Sequence, residues 1–217
     1  VALPDLSHLI LHEEDGPRLL HDLEYVHLTT GAVTASAADV ERVSGELGAV
    51  LVELPLRDGG HLLPRWDDLT ALAEACRERG TPLHFDGARL WESAPWFGRS
   101  LPEVSALADS VYVSFYKGLG GLSGAALAGD DDFVREAKLW WRRMGGTVWT
   151  SAPHAISALQ AGPVDAYGVG TSLVTGSGAP TAGMVYKLVQ HASDDGQMID
   201  VAKKRKDKIS VGGRKWA

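Results

Sequence analysis

Lys117 is the residue whose type and surroundings most directly suggest chemistry. It follows an apolar run at residues 110–115 and opens the stretch Lys117-Gly-Leu-Gly-Gly-Leu-Ser-Gly. Partial burial lowers the pKa of a lysine, which then acts as an amine nucleophile toward an aldehyde, and glycines let the backbone approach a ligand closely. A lysine at a strand end, extending its amine to water beside a flexible loop, would give the same pattern. Taken alone, the segment leaves both interpretations open.

A second segment, Asp86-Gly-Ala-Arg89, follows another apolar run at residues 82–85. A carboxylate placed after a buried strand costs desolvation free energy unless a cation or several donors face it. A protonated pyridine nitrogen is such a cation, and an aspartate beside it keeps the ring charged and makes it an electron sink. Arg89 offers a planar fork suited to a substrate carboxylate. The alternative is structural: a buried Asp–Arg ion pair or a helix cap.

The elements that must position these residues alternate between strand and helix. Strands are predicted at residues 24–28, 48–54, 82–85, 110–115 and 125–128. Helices are predicted at about residues 13–20 and at residues 37–45, 67–80 (capped by Asp67 and closed by Gly80), 101–108 and 131–143, and residues 8–12 are predicted as a short buried segment. Such alternation is typical of a parallel sheet with crossover helices, whose functional residues lie at the carboxyl ends of the strands. Asp86 and Lys117, 31 residues apart, are therefore expected to face one crevice.

Composition narrows the class of protein. The chain has 217 residues, is 45% hydrophobic and carries a net charge of −7, so it can bury a sizeable core and has no global attraction to nucleic acid or an anionic membrane. A single cysteine excludes an internal disulfide framework, and no apolar run reaches the roughly 18 residues that a membrane helix needs. His8 and His12 are four residues apart, but no carboxylate stands between them as in the His-Glu-x-x-His motif, so no metal site is predicted. A cytoplasmic protein without a nucleic-acid or membrane partner is the resulting expectation.

Together the two segments resemble the threonine aldolase / β-eliminating lyase family of fold-type I pyridoxal phosphate enzymes. In that family an Asp-Gly-Ala-Arg segment precedes a Ser-Lys-Gly-Leu-Gly segment, with one crossover unit between them. Asp86-Gly-Ala-Arg89 and Lys117-Gly-Leu-Gly120 stand in that order, with Tyr116 in place of the family's serine. The resemblance covers about residues 5–158. It implies an α/β fold, namely a partial fold-type I large domain with a parallel-rich sheet and crossover helices.

The same resemblance implies a cofactor, a reaction and roles for individual residues. Lys117 would form a Schiff base (the internal aldimine) with pyridoxal phosphate, Asp86 would pair with the ring nitrogen, and His8 would stack on the ring. Arg89 would bind the carboxylate of the amino-acid substrate. Ser114, three residues before Lys117, could reach the phosphate. The implied enzyme cleaves a β-hydroxy-α-amino acid to glycine and an aldehyde, and it is expected to be a homo-oligomer. Because the family's phosphate loop lies upstream of the histidine, this part is expected to be incomplete at its N-terminus.

Residues 159–217 follow a different pattern. Gly168-Val-Gly170-Thr171 and the residues around it resemble the C-terminal part of nicotinate phosphoribosyltransferases, in which such a turn cradles a nucleotide phosphate with its backbone amides. A tight turn between two strands is the alternative. The interpretation is a two-part chain: an aldolase-like domain over residues 1–158 and a short β-rich tail over residues 159–217. The alternative functions are phosphate or nucleotide binding by the tail, or a catalytically incomplete chimera.

Overall fold

The chain forms two compact units, Val1–Val113 and Ser114–Ala217, in a computed structural model that describes residues 1–147, 152–161, 210–211 and 214–215. Apolar runs form the strands, and the polar and amphipathic segments between them form the helices. Among the described residues, no helix combines the length and the apolar character that a membrane crossing requires. Gly168, Gly170 and Thr171 lie outside the described residues.

A parallel sheet forms the centre of the first unit. Its strands are β1 (Ala2–Leu3), β2 (Val26–His27), β3 (Val50–Glu53), β4 (Leu83–Gly87) and β5 (Ser110–Ser114), the last of which enters the second unit at Ser114. They lie side by side in the order β2–β1–β3–β4–β5, and every pair is parallel. Because β3 and β4 are interior strands, Val50, Val52 and Phe85 are buried, as their apolar runs predict. The predicted α/β class is confirmed.

Six helices complete the first unit: α1 (His8–Leu11), α2 (Gly16–His21), α3 (Ala37–Glu41), α4 (Trp66–Arg79), α5 (Leu90–Phe97) and α6 (Leu101–Ser105). Local side-chain chemistry sets where several of them begin and end. At α6 the Ser100 N–H donates to the Glu103 carboxylate at 2.8 Å, and the Ser100 hydroxyl accepts from the Glu103 N–H at 3.4 Å, which is a capping box. Helix α4 ends at Gly80, whose φ of +67° is a conformation that glycine adopts without strain.

Helix α4 supplies much of the core on one side of the sheet. Leu69, Leu72, Ala73 and Cys76 are buried along one stripe of it, and the burial of each large apolar side chain contributes roughly 1.5–3 kcal/mol. Burial raises the pKa of the Cys76 thiol to about 11, and the charge of Asp109 adds to this. The thiolate is the reactive form of cysteine, so Cys76 is protected from alkylation while the first unit is folded.

Two local predictions need correction, and one helix of the first unit was missed. Residues 8–12, predicted as a buried segment, contain the helix α1, none of whose residues is buried, although Ser7 just before it is. Asp67 is not the N-cap of α4; Arg65 is, and Asp67 lies in the first turn, where its charge complements the helix dipole. Helix α5 was not predicted, since Pro95 interrupts its pattern.

The second unit contains β6 (Ala125–Gly129), α7 (Asp131–Arg143), α8 (Ala152–Ala161), β7 (Ser210–Val211) and β8 (Arg214–Lys215). Helix α7 has the predicted bounds because the Asp130 carboxylate accepts the Phe133 N–H at 2.7 Å and so caps its first turn. Strands β7 and β8 pair antiparallel, which agrees with a β-containing tail.

We predict that Leu72→Ala exposes Cys76 to alkylation. The substitution leaves a cavity beside the sheet and costs about 2–5 kcal/mol, so the labelling rate of the folded protein should rise about 30-fold or more where opening precedes reaction. The measurement is the rate of Cys76 modification by a maleimide at fixed pH. The control, Leu19→Ala, removes a leucine that is 74% exposed on α2. Equal labelling rates in both variants would show that Leu72 does not support this core.

Candidate active site

The carboxyl end of β4 presents Asp86. Leu83, Phe85 and Gly87 are buried, whereas His84 and Asp86 are half-buried and point to the opposite face of the strand. One oxygen of the Asp86 carboxylate, Oδ1, accepts the Ala88 N–H at 3.1 Å. In the sheet register Asp86 lies between Glu53 of β3 and Tyr112 of β5. The strand therefore places a half-buried carboxylate at the carboxyl end of the parallel sheet.

His84 lies on the same face of β4 as Asp86. Its Nδ1 is 2.8 Å from the Ser110 hydroxyl. Burial lowers the pKa of His84, although the charge of Asp86 partly opposes the effect. The imidazole next to Asp86 is thus held in its neutral form and does not neutralise that carboxylate at physiological pH.

Gly87 allows the chain to turn directly after Asp86. A Cβ at this position would lie 2.8 Å from the carbonyl oxygen of Tyr112 and 3.0 Å from the Cβ of Leu90. Only glycine fits such a close approach. The glycine of the Asp-Gly-Ala-Arg segment is therefore required by packing against the neighbouring strand and α5.

Arg89 is the N-cap residue of α5. Its carbonyl oxygen accepts the Ser93 hydroxyl at 3.0 Å, which anchors the backbone at the start of the helix. Its guanidinium Nε lies 3.6 Å from the Glu92 carboxylate, and the side chain is 28% exposed. The buried Asp86–Arg89 ion pair that the sequence left open is not among the ion pairs of the described residues; Glu92 is the ion-pair partner of Arg89.

Glu53 is a residue whose role the sequence did not reveal. It ends β3, is 7% exposed, and its two carboxylate oxygens accept different backbone N–H groups: His8 at 3.0 Å and Arg57 at 3.3 Å. Burial raises the pKa of Glu53, the two backbone donors lower it, and the nearby charge of Asp86 raises it further. A single acid in an otherwise apolar strand is the signal that could have identified it.

Through Glu53 the sheet fixes the start of α1 and hence His8. The His8 Nε2 lies 3.1 Å from the Glu13 carboxylate, so this acid contacts the histidine ring. The ring of His8 is partly exposed and stacks on the ring of His12, with centroids 4.9 Å apart. Asp86, Arg89, Glu53 and His8 all belong to the first unit.

Lys117 lies in the second unit, within a turn that its glycines make tight. The Phe115 N–H donates to the Gly124 carbonyl at 2.9 Å, and the Gly121 N–H donates to the Phe115 carbonyl at 2.7 Å. A Cβ on Gly121 would approach that carbonyl to 2.8 Å. The glycine-rich stretch is therefore a closed turn rather than an open loop, and its glycines serve the turn itself.

The two candidate side chains of this segment differ in exposure. Ser114 is fully buried at the end of β5. Lys117 is half-buried, and its Nζ lies 5.8 Å from the centre of the Tyr116 ring. Lys117 is thus neither fully buried nor fully exposed, and its role stays a prediction.

A scan against protein-family models matches residues 1–200 to the family described as beta-eliminating lyase. The chain belongs to the β-eliminating lyase family. The solved structure of an L-allo-threonine aldolase from Listeria monocytogenes is similar to it, with 46% identity and a TM-score of 0.71 over 74% of this chain and 45% of that one. The low specificity L-threonine aldolase of Escherichia coli is 33% identical over 111 residues, which are 51% of this chain and 33% of that protein. This member of the β-eliminating lyase family therefore spans less than half of either relative.

The C-terminal likeness is also found. Nicotinate phosphoribosyltransferase of Mycobacterium tuberculosis is 62% identical over 63 residues, which are 29% of this chain and 13% of that enzyme. The likeness predicted from the Gly-Val-Gly-Thr segment is thus confirmed as a similarity, while the boundary between residues 158 and 159 remains a prediction.

We predict that Glu53→Gln lowers the free energy of unfolding by about 1–3 kcal/mol at mildly acid pH. An amide has one acceptor oxygen, so one of the two part-buried backbone N–H groups loses its partner. Because burial raises the folded-state pKa of Glu53 above its unfolded-state pKa, the contribution of this residue to stability falls as pH rises from the unfolded-state pKa to the folded-state pKa. The deficit of the variant should therefore shrink with rising pH.

Urea unfolding at several pH values measures this deficit. Glu13→Gln, which changes an exposed carboxylate near the same histidine, is the control and should cost less than about 1 kcal/mol. A Glu53→Gln protein as stable as the parent at every pH, or a deficit that grows with pH, would contradict the assignment.

Proposed function

We propose that this chain belongs to a pyridoxal phosphate-dependent lyase of the threonine aldolase type, which cleaves a β-hydroxy-α-amino acid to glycine and an aldehyde. One observation carries the proposal. In a chain of the β-eliminating lyase family, the interior strand β4 ends in a half-buried carboxylate, Asp86, followed by a glycine that close packing against β5 and α5 requires and by Arg89. The two aldolases described above are named for threonine and allo-threonine, which are amino acids of this class.

The side chains present fit the cofactor. Pyridoxal phosphate has an aromatic ring, a basic ring nitrogen and a phosphate, and it is held in other proteins by groups that match each part. Asp86 is a carboxylate whose Oδ1 accepts one backbone N–H, which suits it to accept from a protonated ring nitrogen. His8 offers a partly exposed aromatic ring, fixed by Glu53 at its backbone and by Glu13 at its Nε2. The donor set is thus of the right chemistry.

Each residue has one proposed task. Lys117 would hold the cofactor covalently through its amine, and Ser114 would bind the phosphate. Asp86 would keep the ring nitrogen protonated, and His8 would pack on the ring. When bound, the cofactor would supply an electron sink for the charge left at the substrate's Cα as the Cα–Cβ bond breaks.

Arg89 would orient the substrate. A guanidinium binds a carboxylate through two parallel N–H···O bonds, which fixes the direction of the amino acid as well as its position. Since Glu92 already contacts Nε, the substrate carboxylate would have to compete with or join that pair. Arg89 lies at the start of α5 with its backbone anchored by Ser93, which limits how far its side chain can move.

We predict that Lys117→Ala abolishes covalent attachment of pyridoxal phosphate. The parent chain, mixed with the cofactor, should develop a visible absorption band that borohydride bleaches, and the modified peptide should contain Lys117. Alanine has no side-chain amine and cannot form the linkage, so the variant should show neither the band nor the modified peptide. Absorption spectroscopy and peptide mass spectrometry give both readouts.

Lys138→Ala is the matched control, because Lys138 is another half-buried lysine of the second unit, on α7. It should leave the band and the peptide unchanged. Attachment that survives Lys117→Ala, or that Lys138→Ala removes, would rule out the proposed role of Lys117.

A second candidate function rests on the C-terminal likeness. The identity of 62% over 63 residues to nicotinate phosphoribosyltransferase supports binding of a phosphate by Gly168, Gly170 and Thr171, through backbone N–H groups. We expect phosphoribosyl diphosphate, but not an equal concentration of chloride, to slow proteolysis of residues 159–217 in the parent chain and not in Gly170→Val. Equal cleavage rates with and without the ligand would remove this candidate.

Other sequence predictions complete the proposal. If neither ligand is bound, a catalytically incomplete chimera, with one family fragment on either side of residues 158 and 159, is the remaining interpretation. A homo-oligomer is proposed by analogy with the family, and a cytoplasmic location is proposed from the composition. A monomer in size-exclusion chromatography at all concentrations would exclude the oligomer.

A further inference from the structure

Two histidines and an aspartate meet at one exposed point of the first unit. His8 and His12 lie four residues apart, at the start and just past the end of α1, so they share one face of that helical turn. Their rings stack with centroids 4.9 Å apart and an interplanar angle of 29°. Asp58 comes from the turn that follows β3, and its Oδ2 lies 3.0 Å from the His12 Nε2. One potential ligand atom from each residue lies within 4.8 Å of the others.

We propose that His8, His12 and Asp58 bind a divalent transition-metal ion of the zinc type. Imidazole nitrogen and carboxylate oxygen are the ligands that such ions take in proteins. Two histidines four apart on one helical face supply two nitrogen ligands from a single turn. The carboxylate of Asp58 adds the negative charge that offsets the ion, and the fourth position of a tetrahedral ion remains open to water.

Glu13 contacts His8, one of the three proposed ligands. Its carboxylate lies 3.1 Å from the His8 Nε2. A histidine that binds a metal through one ring nitrogen commonly donates its other N–H to a carboxylate, which fixes the orientation of the ring and raises its basicity. With Nε2 held by Glu13, Nδ1 of His8 is the nitrogen left for the ion.

The cluster can close around an ion without disturbing the core. Zinc bonds of about 2.0–2.1 Å place tetrahedral ligand atoms roughly 3.3 Å apart, so atoms now within 4.8 Å need only side-chain rotation. The side chains of His8, His12 and Asp58 are 30%, 36% and 25% exposed, and packing does not prevent this movement. An ion would replace the direct His12–Asp58 contact with two bonds to itself.

The sequence did not indicate this site, because the carboxylate is distant along the chain. His8 and His12 lack the glutamate of the His-Glu-x-x-His motif, and Asp58 lies 46 residues beyond His12. The approach of α1 to the turn after β3 depends on Glu53, which accepts N–H groups from both segments. The same carboxylate that fixes His8 therefore also assembles the three ligands.

Calorimetric titration of the untagged full chain with Zn²⁺, in the absence of pyridoxal phosphate, tests the proposal. We expect a one-to-one binding event that His12→Ala and Asp58→Asn each weaken at least about tenfold, since each removes a ligand. Glu13→Gln should weaken it less than either. His27→Ala changes an exposed histidine on β2, outside the cluster, and should leave the affinity unchanged. Mg²⁺, which prefers oxygen ligands, should not compete.

Three results would overturn the site: no binding of Zn²⁺ to the parent chain, equal affinity in the parent, His12→Ala and Asp58→Asn proteins, or an equal loss in the His27→Ala control. Circular dichroism of each variant establishes that the fold persists, which the partial exposure of all three ligands makes the expected outcome. Because the cofactor is absent throughout, the result is independent of the proposed lyase activity.

Discussion

The parallel register of β3 and β4 places two carboxylates, Glu53 and Asp86, side by side at one edge of the sheet. Two ionised carboxylates this close repel each other more strongly in a partly buried site than in water. The fold gives them different environments: Glu53 is buried, has a raised pKa and accepts two backbone N–H groups, whereas Asp86 is half-buried and accepts one. Glu53 therefore has a structural role, and Asp86 remains available at the carboxyl end of the sheet.

Glu53 also links segments that are far apart in sequence. It joins the start of α1 to the turn after β3, and this contact determines where His8, Glu13 and Asp58 can meet. The candidate cofactor residue His8 and the candidate metal ligands therefore depend on one buried carboxylate. Such a residue is expected to influence ligand binding without touching the ligand, as supporting residues of metal and cofactor sites commonly do.

The sequence predicted those elements whose signal is local. The interior strands β3 and β4 follow from continuous apolar runs, and α7 has the bounds predicted for it, with a cap at Asp130. The sequence analysis missed α5, whose pattern contains Pro95, and misjudged α1, whose leucines and isoleucine suggest burial although none of its residues is buried. The motif residues Asp86, Arg89 and Lys117 were proposed because their segments resemble a family. The contacts of Glu53 and Asp58 were not, because they depend on a strand register that no short segment records.

The central claim is that the carboxyl end of β4 holds the ring nitrogen of pyridoxal phosphate through Asp86. The affinity of the cofactor for the parent chain and for Asp86→Asn tests it most directly, because asparagine keeps the shape of the side chain and removes only the charge. Hydrogen bonds to charged groups contribute about 1.5–3 kcal/mol, so the account predicts that the variant binds pyridoxal phosphate at least about tenfold more weakly. Equal affinity in the two proteins would contradict it.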